Sequence, residues 1–153
     1  MMNVLLFNDK VDYNYRYRFS LIEFLINNNC SVSCFGWFDS TQSFLKSLLT
    51  VLFCREVVVS SNIKSNILLC LFIFTPALII VNGLGRFKRS RVFRLCLILL
   101  FSANRKKKFA VQNYLDYRFF RRYSFVDVIW VPGSGGVMRS KGAEDRFTVV
   151  SRS

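Results

Sequence analysis

The stretch ILLCLFIFTPALIIVNGLG, residues 67–85, decides between a membrane protein and a globular α/β fold. Residues 67–81 carry no charge, but they fall short of the about 20 apolar residues that a spanning helix needs. Pro76 disfavours helical geometry at the residue before it, so a helix that enters this stretch ends near Thr75. ALIIV then predicts a buried strand, and the glycines after it predict a loop. The stretch is therefore predicted to be a helix followed by a strand.

The same alternation of apolar strands and helices runs along the rest of the chain. Strands are predicted at residues 3–9, 31–38, 55–61, 77–81, 108–112 and 126–131, and helices at 17–29, 41–53, 63–74, 91–103 and 115–123. Strands that are apolar on both faces and alternate with helices are typical of a parallel sheet. The predicted fold class is α/β, a Rossmann-like parallel sheet with helices on both faces.

The length and composition predict one folded domain. The chain has 153 residues, of which 52% are hydrophobic and 17 are Phe, which supplies a real core and excludes disorder for the body of the chain. The amino terminus MMNVLLFNDK lacks the length and basic lead of a signal peptide, so export is not expected. The final RFTVVSRS begins another strand with no helix after it, which predicts that the chain is truncated.

The net charge of +13 is concentrated in the second half of the chain. Residues 1–82 hold six Lys/Arg against five Asp/Glu, whereas residues 83–153 hold sixteen against four. The predicted anion or membrane patch consists of Lys88, Arg89, Arg91, Arg94, Arg105, Lys106, Lys107 and Lys108. Such a run attracts phosphates, nucleic acid or an anionic membrane, and it is equally compatible with a solvated face that has no ligand.

The histidine and cysteine content excludes several kinds of site. The chain has no His, so a Ser-His-Asp mechanism is ruled out. Its five cysteines form no Cys-x-x-Cys pair, so no zinc site is predicted and no metal is expected. Their apolar surroundings predict buried free thiols in a reducing cytosol.

Ligands of parallel α/β sheets bind at the carboxyl ends of the strands, so the loops there are the candidates for a binding site. The loop after the first strand, residues 8–18, has no glycine, which excludes the usual dinucleotide fingerprint. The glycines in NGLG and GSGG can expose backbone amides to a ligand, or they can simply turn the chain.

Acidic and aromatic residues leave other possibilities open. The candidate acid/base carboxylates are Asp9, Asp12, Asp116 and Asp127, each of which can instead cap a helix or turn. Tyrosines interleaved with arginines can stack on bases, so nucleic-acid binding is an alternative, although no recognition module is present in the sequence.

Three motifs resemble the amino-terminal domain of family-4 glycosyltransferases, the retaining GT-B enzymes of bacterial capsule, O-antigen and exopolysaccharide synthesis. They are ALIIVNGLGRF, KFAVQNYLDYRFF and VDVIWVPGSGG, and the opening strand, loop and helix give weaker support. The resemblance covers essentially the whole chain. It is most specific at Gln112-Asn113 and at Pro132-Gly133-Ser134-Gly135.

The resemblance implies a hexosyltransferase half that acts with a nucleotide-sugar donor, needs no cofactor, and serves a lipid-linked sugar acceptor. It implies a cytoplasmic protein, peripheral at the inner face of the plasma membrane through the basic run. The acceptor- or phosphate-binding residues would be Asn82, Gly83, Gly85, Arg86, Gln112, Asn113, Gly133, Ser134 and Gly135. The resemblance identifies no catalytic residue.

Departures from the family pattern define the expected domain boundary. Residues 1–146 are similar to the acceptor-binding domain, whereas residues 147–153 look like the start of a missing donor-binding domain, which a separate chain would have to supply. Asn82 stands where many members have a histidine. The isolated chain is therefore expected to be inactive in transfer. The alternative is a non-catalytic basic domain that binds an anionic membrane or nucleic acid.

Overall fold

The described residues form six strands, with two helices between the first two strands and one helix between each later pair. The computed structural model describes residues 2–84, 90–123 and 127–132, with Tyr123 described by its backbone alone. The strands are β1 (Met2–Asn8), β2 (Cys30–Gly36), β3 (Val57–Ser61), β4 (Ala77–Val81), β5 (Lys107–Val111) and β6 (Asp127–Trp130). The helices are α1 (Val11–Tyr17), α2 (Phe19–Asn27), α3 (Thr41–Phe53), α4 (Ile63–Leu71), α5 (Arg91–Ser102) and α6 (Tyr114–Tyr123).

The strands form one sheet in the order β2-β1-β3-β4-β5-β6, and every neighbouring pair is parallel. The first crossover runs outward from β1 to β2, and all later strands add on the other side of β1. Because parallel crossovers are right-handed, the helices of these two directions lie on opposite faces. The predicted α/β, Rossmann-like fold with helices on both faces is confirmed.

Alternate strand residues supply two separate cores. On one face, Phe7, Ile79 and Phe109 pack in a cluster with side chains from α3, α4, α5 and α6. On the other face, Leu6 and its neighbours on β1 to β3 pack against α2. The period of two that sends successive side chains to opposite faces explains this division. Helices α3, α4, α5 and α6 therefore cover the first face, and we call these four helices the helical layer. Helix α2 covers part of the second face.

The prediction of a loop over residues 8–18 is wrong, because helix α1 occupies most of this stretch. Asp12 and Arg16 form an ion pair at 3.5 Å, and Tyr13 and Tyr17 are in edge-to-face contact at 5.8 Å. Both pairs have the spacing of four residues that brings side chains together on a helix. Buried Asn14 donates to the carbonyl oxygens at the ends of β1 and β2, which fixes the short helix against the sheet.

Local capping explains why other predicted boundaries are close to the observed ones. Ser40 and Ser90 precede α3 and α5, and their hydroxyls accept from the amides of Ser43 at 3.0 Å and Phe93 at 3.3 Å. Helix α4 ends at Leu71, before the proline, rather than at residue 74. Among the described residues, no helix is long and apolar enough to cross a membrane.

All five cysteines are free thiols, as predicted, but their burial varies. Cys30 and Cys70 are buried and Cys34 and Cys54 are partly buried, whereas Cys96 is exposed on α5. The prediction of buried thiols is therefore wrong for Cys96, because this residue lies on the side of α5 that faces away from the core.

Candidate functional site

The carboxyl ends of β1 and β3 form the most favourable place for a ligand. The chain leaves β1 toward one face of the sheet and leaves β3 toward the other, so their loops diverge and open a crevice between them. Asn8 ends β1 and Ser61 ends β3, and their side chains meet at this edge of the sheet.

Asn8 is the centre of a buried polar cluster at this crevice. Its amide nitrogen donates to Asn14 Oδ1 at 3.2 Å and to Ser61 Oγ at 3.1 Å. Its oxygen accepts from the amide of Asp9 at 2.8 Å and from Asn62 Nδ2 at 2.6 Å. Because every polar atom of the Asn8 side chain has a partner, the cluster holds the ends of β1 and β3 in one arrangement.

The cluster continues to the end of β4 through side chains. Asn82 Nδ2 donates to Asn62 Oδ1 at 3.1 Å, and Asn82 Oδ1 accepts from the guanidinium of Arg18. Asn62 adopts a positive φ of 73°, a conformation that costs energy outside glycine and is frequent at functional sites. We call Asn8, Asn62, Asn82 and Arg18 the asparagine relay. It joins the carboxyl ends of three strands.

Arg18 brings a cation to the end of the relay. The residue lies between α1 and α2 and is only 4% exposed. Burial lowers the pKa of Arg18, because desolvation disfavours its charged form. Arginine is nevertheless effectively always protonated in proteins, so the relay ends in a positive charge beside Asn82.

Asp9 is the carboxylate closest to the relay. Its Oδ1 accepts from the amide of Ser65 at 3.1 Å at the start of α4. Burial raises the pKa of Asp9, and the hydrogen bond from Ser65 and the charge of Lys64 partly oppose this shift. Asp9 is therefore the one of the four predicted carboxylates that stands beside the crevice.

The other three predicted carboxylates have structural roles or lie elsewhere. Asp12 is on the exposed side of α1, where it pairs with Arg16. Asp116 is buried and its Oδ2 accepts from the amide of Leu84 at 2.9 Å, which fixes the loop after β4. Asp127 begins β6 at the amino edge of the sheet, opposite the crevice, where it lies 3.7 Å from Lys108.

The residues predicted from the family motifs that are described lie at the same edge as the relay. Gly83 follows Asn82, and the site of a Cβ at Gly83 lies 3.8 Å from Asp116 Oδ2. The main-chain amide of Gln112 donates to the carbonyl oxygen of Val81 at 3.1 Å, which joins the end of β5 to the end of β4. Asn113 Oδ1 accepts from the amide of Leu115 at 2.9 Å, so this side chain caps α6. Gly85, Arg86, Gly133, Ser134 and Gly135 lie outside the described residues.

An apolar groove opens beside the relay on the sheet face that α2 covers only in part. It has a volume of about 400 Å³. Leu21 lines it from α2, and Leu78, Ile80 and Ile129 line it from the sheet. Arg18 and Gln112 line it at the carboxyl edge of the sheet. The edge therefore combines amide and guanidinium groups with an adjoining apolar surface.

The predicted basic patch is not one continuous surface. Arg91 and Arg94 stand at the start of α5, whereas Arg105, Lys106 and Lys108 stand beyond its end. A helix of 12 residues is about 18 Å long, so the two groups lie at opposite edges of the sheet. Lys88 and Arg89, like residues 147–153, are outside the described part of the chain.

The prediction that Lys107 belongs to this patch is wrong. Lys107 is 1% exposed, and its Nζ donates to Phe72 O at 2.7 Å and to Asn104 Oδ1. The cause is the period of two in β5, which sends Lys107 toward the helical layer and its neighbour Lys108 to the other face.

Sequence reasoning did not single out Asn8, Asn14 or Asn62, and it considered Arg18 only as one of the arginines interleaved with tyrosines, although one signal was available. A polar residue closes or follows each of the strands β1, β3 and β4, and these strand ends share one edge. Within the described ranges, no group of three or more Cys, Asp or Glu side chains is arranged to hold a metal ion.

Comparisons of the chain with protein-family models, with curated proteins and with solved structures find no match.

Proposed function

We propose that the chain is the acceptor-binding half of a retaining glycosyltransferase that builds polysaccharide. Its ligand would be a sugar carried on a lipid diphosphate, and a nucleotide-sugar would be the donor. The observation that carries the proposal is the position of Asn82, which stands between Asn62 and Arg18 at the carboxyl edge of the sheet. This is the residue at which the family resemblance places the histidine of many members.

The chemistry of the edge suits such an acceptor. The amides of Asn82 and Gln112 donate and accept hydrogen bonds, as sugar hydroxyls require, and Arg18 supplies a cation for phosphate. The neighbouring apolar groove suits the first part of a lipid chain. A ligand with a sugar, a phosphate and an apolar tail has one matching group for each of these features.

The same residues support binding more than catalysis. Amide side chains do not titrate, so the relay positions a ligand without accepting its proton. Asp9 is the nearby carboxylate, but it is held by the amide of Ser65. Departure of the donor diphosphate needs its charge to be stabilised in a closed, preorganised cleft. Transfer would therefore need a donor-binding domain as well, and the acceptor-binding domain alone would not turn over.

The proposal places the protein in the cytoplasm, peripheral to the inner face of the plasma membrane, because a lipid-linked acceptor is found there.

A binding measurement with Asn82→Ala tests the proposal. The probe is geranyl diphosphate linked to a monosaccharide, with geranyl diphosphate and the free monosaccharide measured separately. Loss of the Asn82 amide removes the link between Arg18 and Asn62, so we expect the linked probe to bind at least about tenfold more weakly. Asn3→Ala is the matched control, because Asn3 lies near the opposite edge of the sheet and its side chain donates to Glu56.

Isothermal titration calorimetry distinguishes acceptor binding at Asn82 from the alternative of a non-catalytic basic domain. Binding of the linked probe that needs Asn82 but not Asn3 supports the proposal. Equal binding by both variants, or no binding of the probe by the wild type, contradicts it. Tight binding of single-stranded RNA, unaffected by Asn82→Ala, would instead favour the alternative of a non-catalytic basic domain.

A further inference from the structure

The outer surface of the helical layer carries an unusual number of exposed apolar side chains. On α3 these are Leu45, Leu49, Leu52 and Phe53, each more than half exposed. Their spacing of four, three and one residues places them on one side of the helix. The opposite side of α3 carries Val51, which is buried in the core on the same sheet face. The exposed stripe therefore faces away from the sheet.

Helix α5 repeats this arrangement. Val92, Leu95 and Leu99 are exposed, and Leu97 and Phe101 are buried in the same core as Val51. Because both helices bury one side against the same face of the sheet, their exposed stripes point in the same general direction. Leu71, at the end of α4 between them in the layer, is exposed as well. Large contiguous apolar patches are rare on soluble monomers, and they mark interaction surfaces when present.

The charges of the helical layer are of one sign. Exposed cations are Lys46 in α3, Lys64 in α4, Arg91 and Arg94 in α5, and Arg118, Arg121 and Arg122 in α6. The four helices contain one acidic residue, Asp116, which is buried beneath them. The other acidic residues that the structure describes, among them Asp12 and Glu23, lie outside these four helices.

We propose that the outer surface of the helical layer lies on an anionic lipid bilayer, with the apolar stripes of α3 and α5 in the headgroup region and the surrounding cations on lipid phosphates. Apolar stripes flanked by Lys and Arg are the pattern of helices that lie in the membrane interface. The proposal does not rest on sugar transfer: it places the bilayer on the sheet face opposite the apolar groove, so membrane contact and acceptor binding are tested separately. It assigns the membrane contact to the helical layer instead of to the basic run around Lys107.

The charges favour a bilayer over the two other occupants of such a surface. A second copy of the chain would bring an equally cationic layer against the first, which like-charge repulsion disfavours. Nucleic acid would use the cations but leave the leucines between them without partners, since it is recognised by stacking and phosphate contacts. An anionic bilayer offers phosphates to the cations and an apolar interior to the leucines.

Flotation of the whole chain with vesicles tests the proposal. We expect binding to vesicles of phosphatidylcholine mixed with phosphatidylglycerol, and at least about tenfold weaker binding to phosphatidylcholine alone, because each basic side chain near an anionic surface contributes about fivefold. Added salt should weaken the binding without abolishing it, because screening acts on the charges and leaves apolar insertion in place.

Two pairs of double variants separate this surface from the rest of the molecule. Leu95→Ser with Leu99→Ser removes side chains that are 57% and 62% exposed, and Phe19→Ser with Ile26→Ser removes side chains that are 44% and 56% exposed on α2, on the other sheet face, neither of which lines the apolar groove. We expect the α5 double variant to bind anionic vesicles at least about tenfold more weakly than the wild type. The α2 double variant should lose less than about twofold, because only the α5 variant loses inserted apolar area. Similarly, Lys64→Gln with Arg118→Gln changes cations on the sides of α4 and α6 opposite their buried residues and should cost about 25-fold, and Lys10→Gln with Lys108→Gln much less.

Cys96 gives a second readout that needs no variant. It is exposed on α5 between Leu95 and Leu99, so anionic vesicles should slow its reaction with a charged maleimide, and neutral vesicles should not. Circular dichroism verifies that each variant is folded, since every changed side chain is exposed.

The proposal is overturned if anionic vesicles are not preferred, if both pairs of a set lose binding equally, or if Cys96 is not protected. It is also overturned if the chain forms a dimer that Leu95→Ser with Leu99→Ser dissociates, which would make a second copy the occupant. Binding of single-stranded RNA that competes with vesicles and depends on the cations alone would assign the surface to nucleic acid. None of these results bears on acceptor binding at Asn82.

Discussion

The ammonium nitrogen of Lys107 donates a hydrogen bond to the carbonyl oxygen of Phe72 at 2.7 Å. This contact joins the first residue of β5 to the turn after α4. The same nitrogen donates to Asn104, whose own amide donates to Cys70 O at 2.9 Å. Burial lowers the pKa of Lys107 because desolvation disfavours the charge, and these oxygens partly replace the lost water. A lysine inside a basic run thus has a structural role.

Lys107→Met is expected to lower the free energy of unfolding by about 1–3 kcal/mol, because the oxygens of Phe72 and Asn104 lose a donor in a buried site. Lys106→Met is the matched control, since Lys106 is exposed, and it should stay within about 0.5 kcal/mol of the wild type. Urea unfolding followed by circular dichroism measures both. Equal effects of the two variants would contradict the buried role of Lys107.

Gly36→Ala should destabilise the protein by about 1–3 kcal/mol. A Cβ at this position would lie 2.4 Å from the backbone nitrogen of Val11 and 1.9 Å from Asp39 Oδ2, whereas the amide of Val11 now donates to that oxygen at 2.9 Å. The start of α1 would have to move. Thermal unfolding measures the loss.

Gly83→Ala is the control for this change. Within the described part of the chain, its Cβ would meet Asp116 Oδ2 alone, at an ordinary contact distance of 3.8 Å. We expect a change of less than about 0.5 kcal/mol. A Gly83→Ala variant as unstable as Gly36→Ala would show that close packing at Gly36 is not the cause.

Asp9→Asn is expected to alter how stability depends on pH. Since burial raises the pKa of Asp9 above the ordinary 3.8, the folded chain holds this proton more tightly than the unfolded chain. The contribution of Asp9 is therefore fully present below pH 3.8 and is lost as the pH rises through the raised value. Asparagine does not titrate, and it keeps an oxygen for the amide of Ser65, so the variant should gain stability relative to the wild type over this window.

Urea midpoints of the wild type and Asp9→Asn, measured from below pH 3.8 to neutrality, give this difference. Asp12→Asn serves as the control for loss of one exposed carboxylate. A difference between wild type and Asp9→Asn that is constant with pH, or that shifts in favour of the wild type on raising the pH, would contradict the prediction.

The thiols should react with iodoacetamide in the order of their exposure. Burial raises the pKa of Cys70 to about 12, although the charge of nearby Lys107 opposes the shift. The thiolate is the reactive form, so Cys70 should stay unlabelled in the folded chain while exposed Cys96 is labelled. Mass spectrometry of digests identifies the labelled sites. Denaturant should make all five react, and early labelling of Cys70 without it would contradict the burial.

Much of the fold follows from local pattern. The interruption at Thr75-Pro76 separates α4 from β4, and the predicted bounds of β4 and α3 match the observed ones. Helix α1 was not predicted, because its seven residues carry no apolar stripe and are held by contacts of Asn14 with two strands that are distant in sequence. In the candidate site, Asn82 was identified by its motif, whereas its partners Asn62 and Arg18 were not.

The sequence by itself determined the class of fold, since the period of apolar residues and the position of proline act over a few neighbouring residues. Only the tertiary structure decided which polar residues meet. Asn8, Asn62 and Asn82 are separated by about 20 residues or more along the chain, and the strand order brings them to one edge. It also decided which cations face solvent. Successive side chains of β5 point to opposite faces of the sheet, so Lys107 is buried although Lys106 and Lys108 are exposed. Local patterns specify secondary structure, but side-chain partners depend on the packing of the whole sheet.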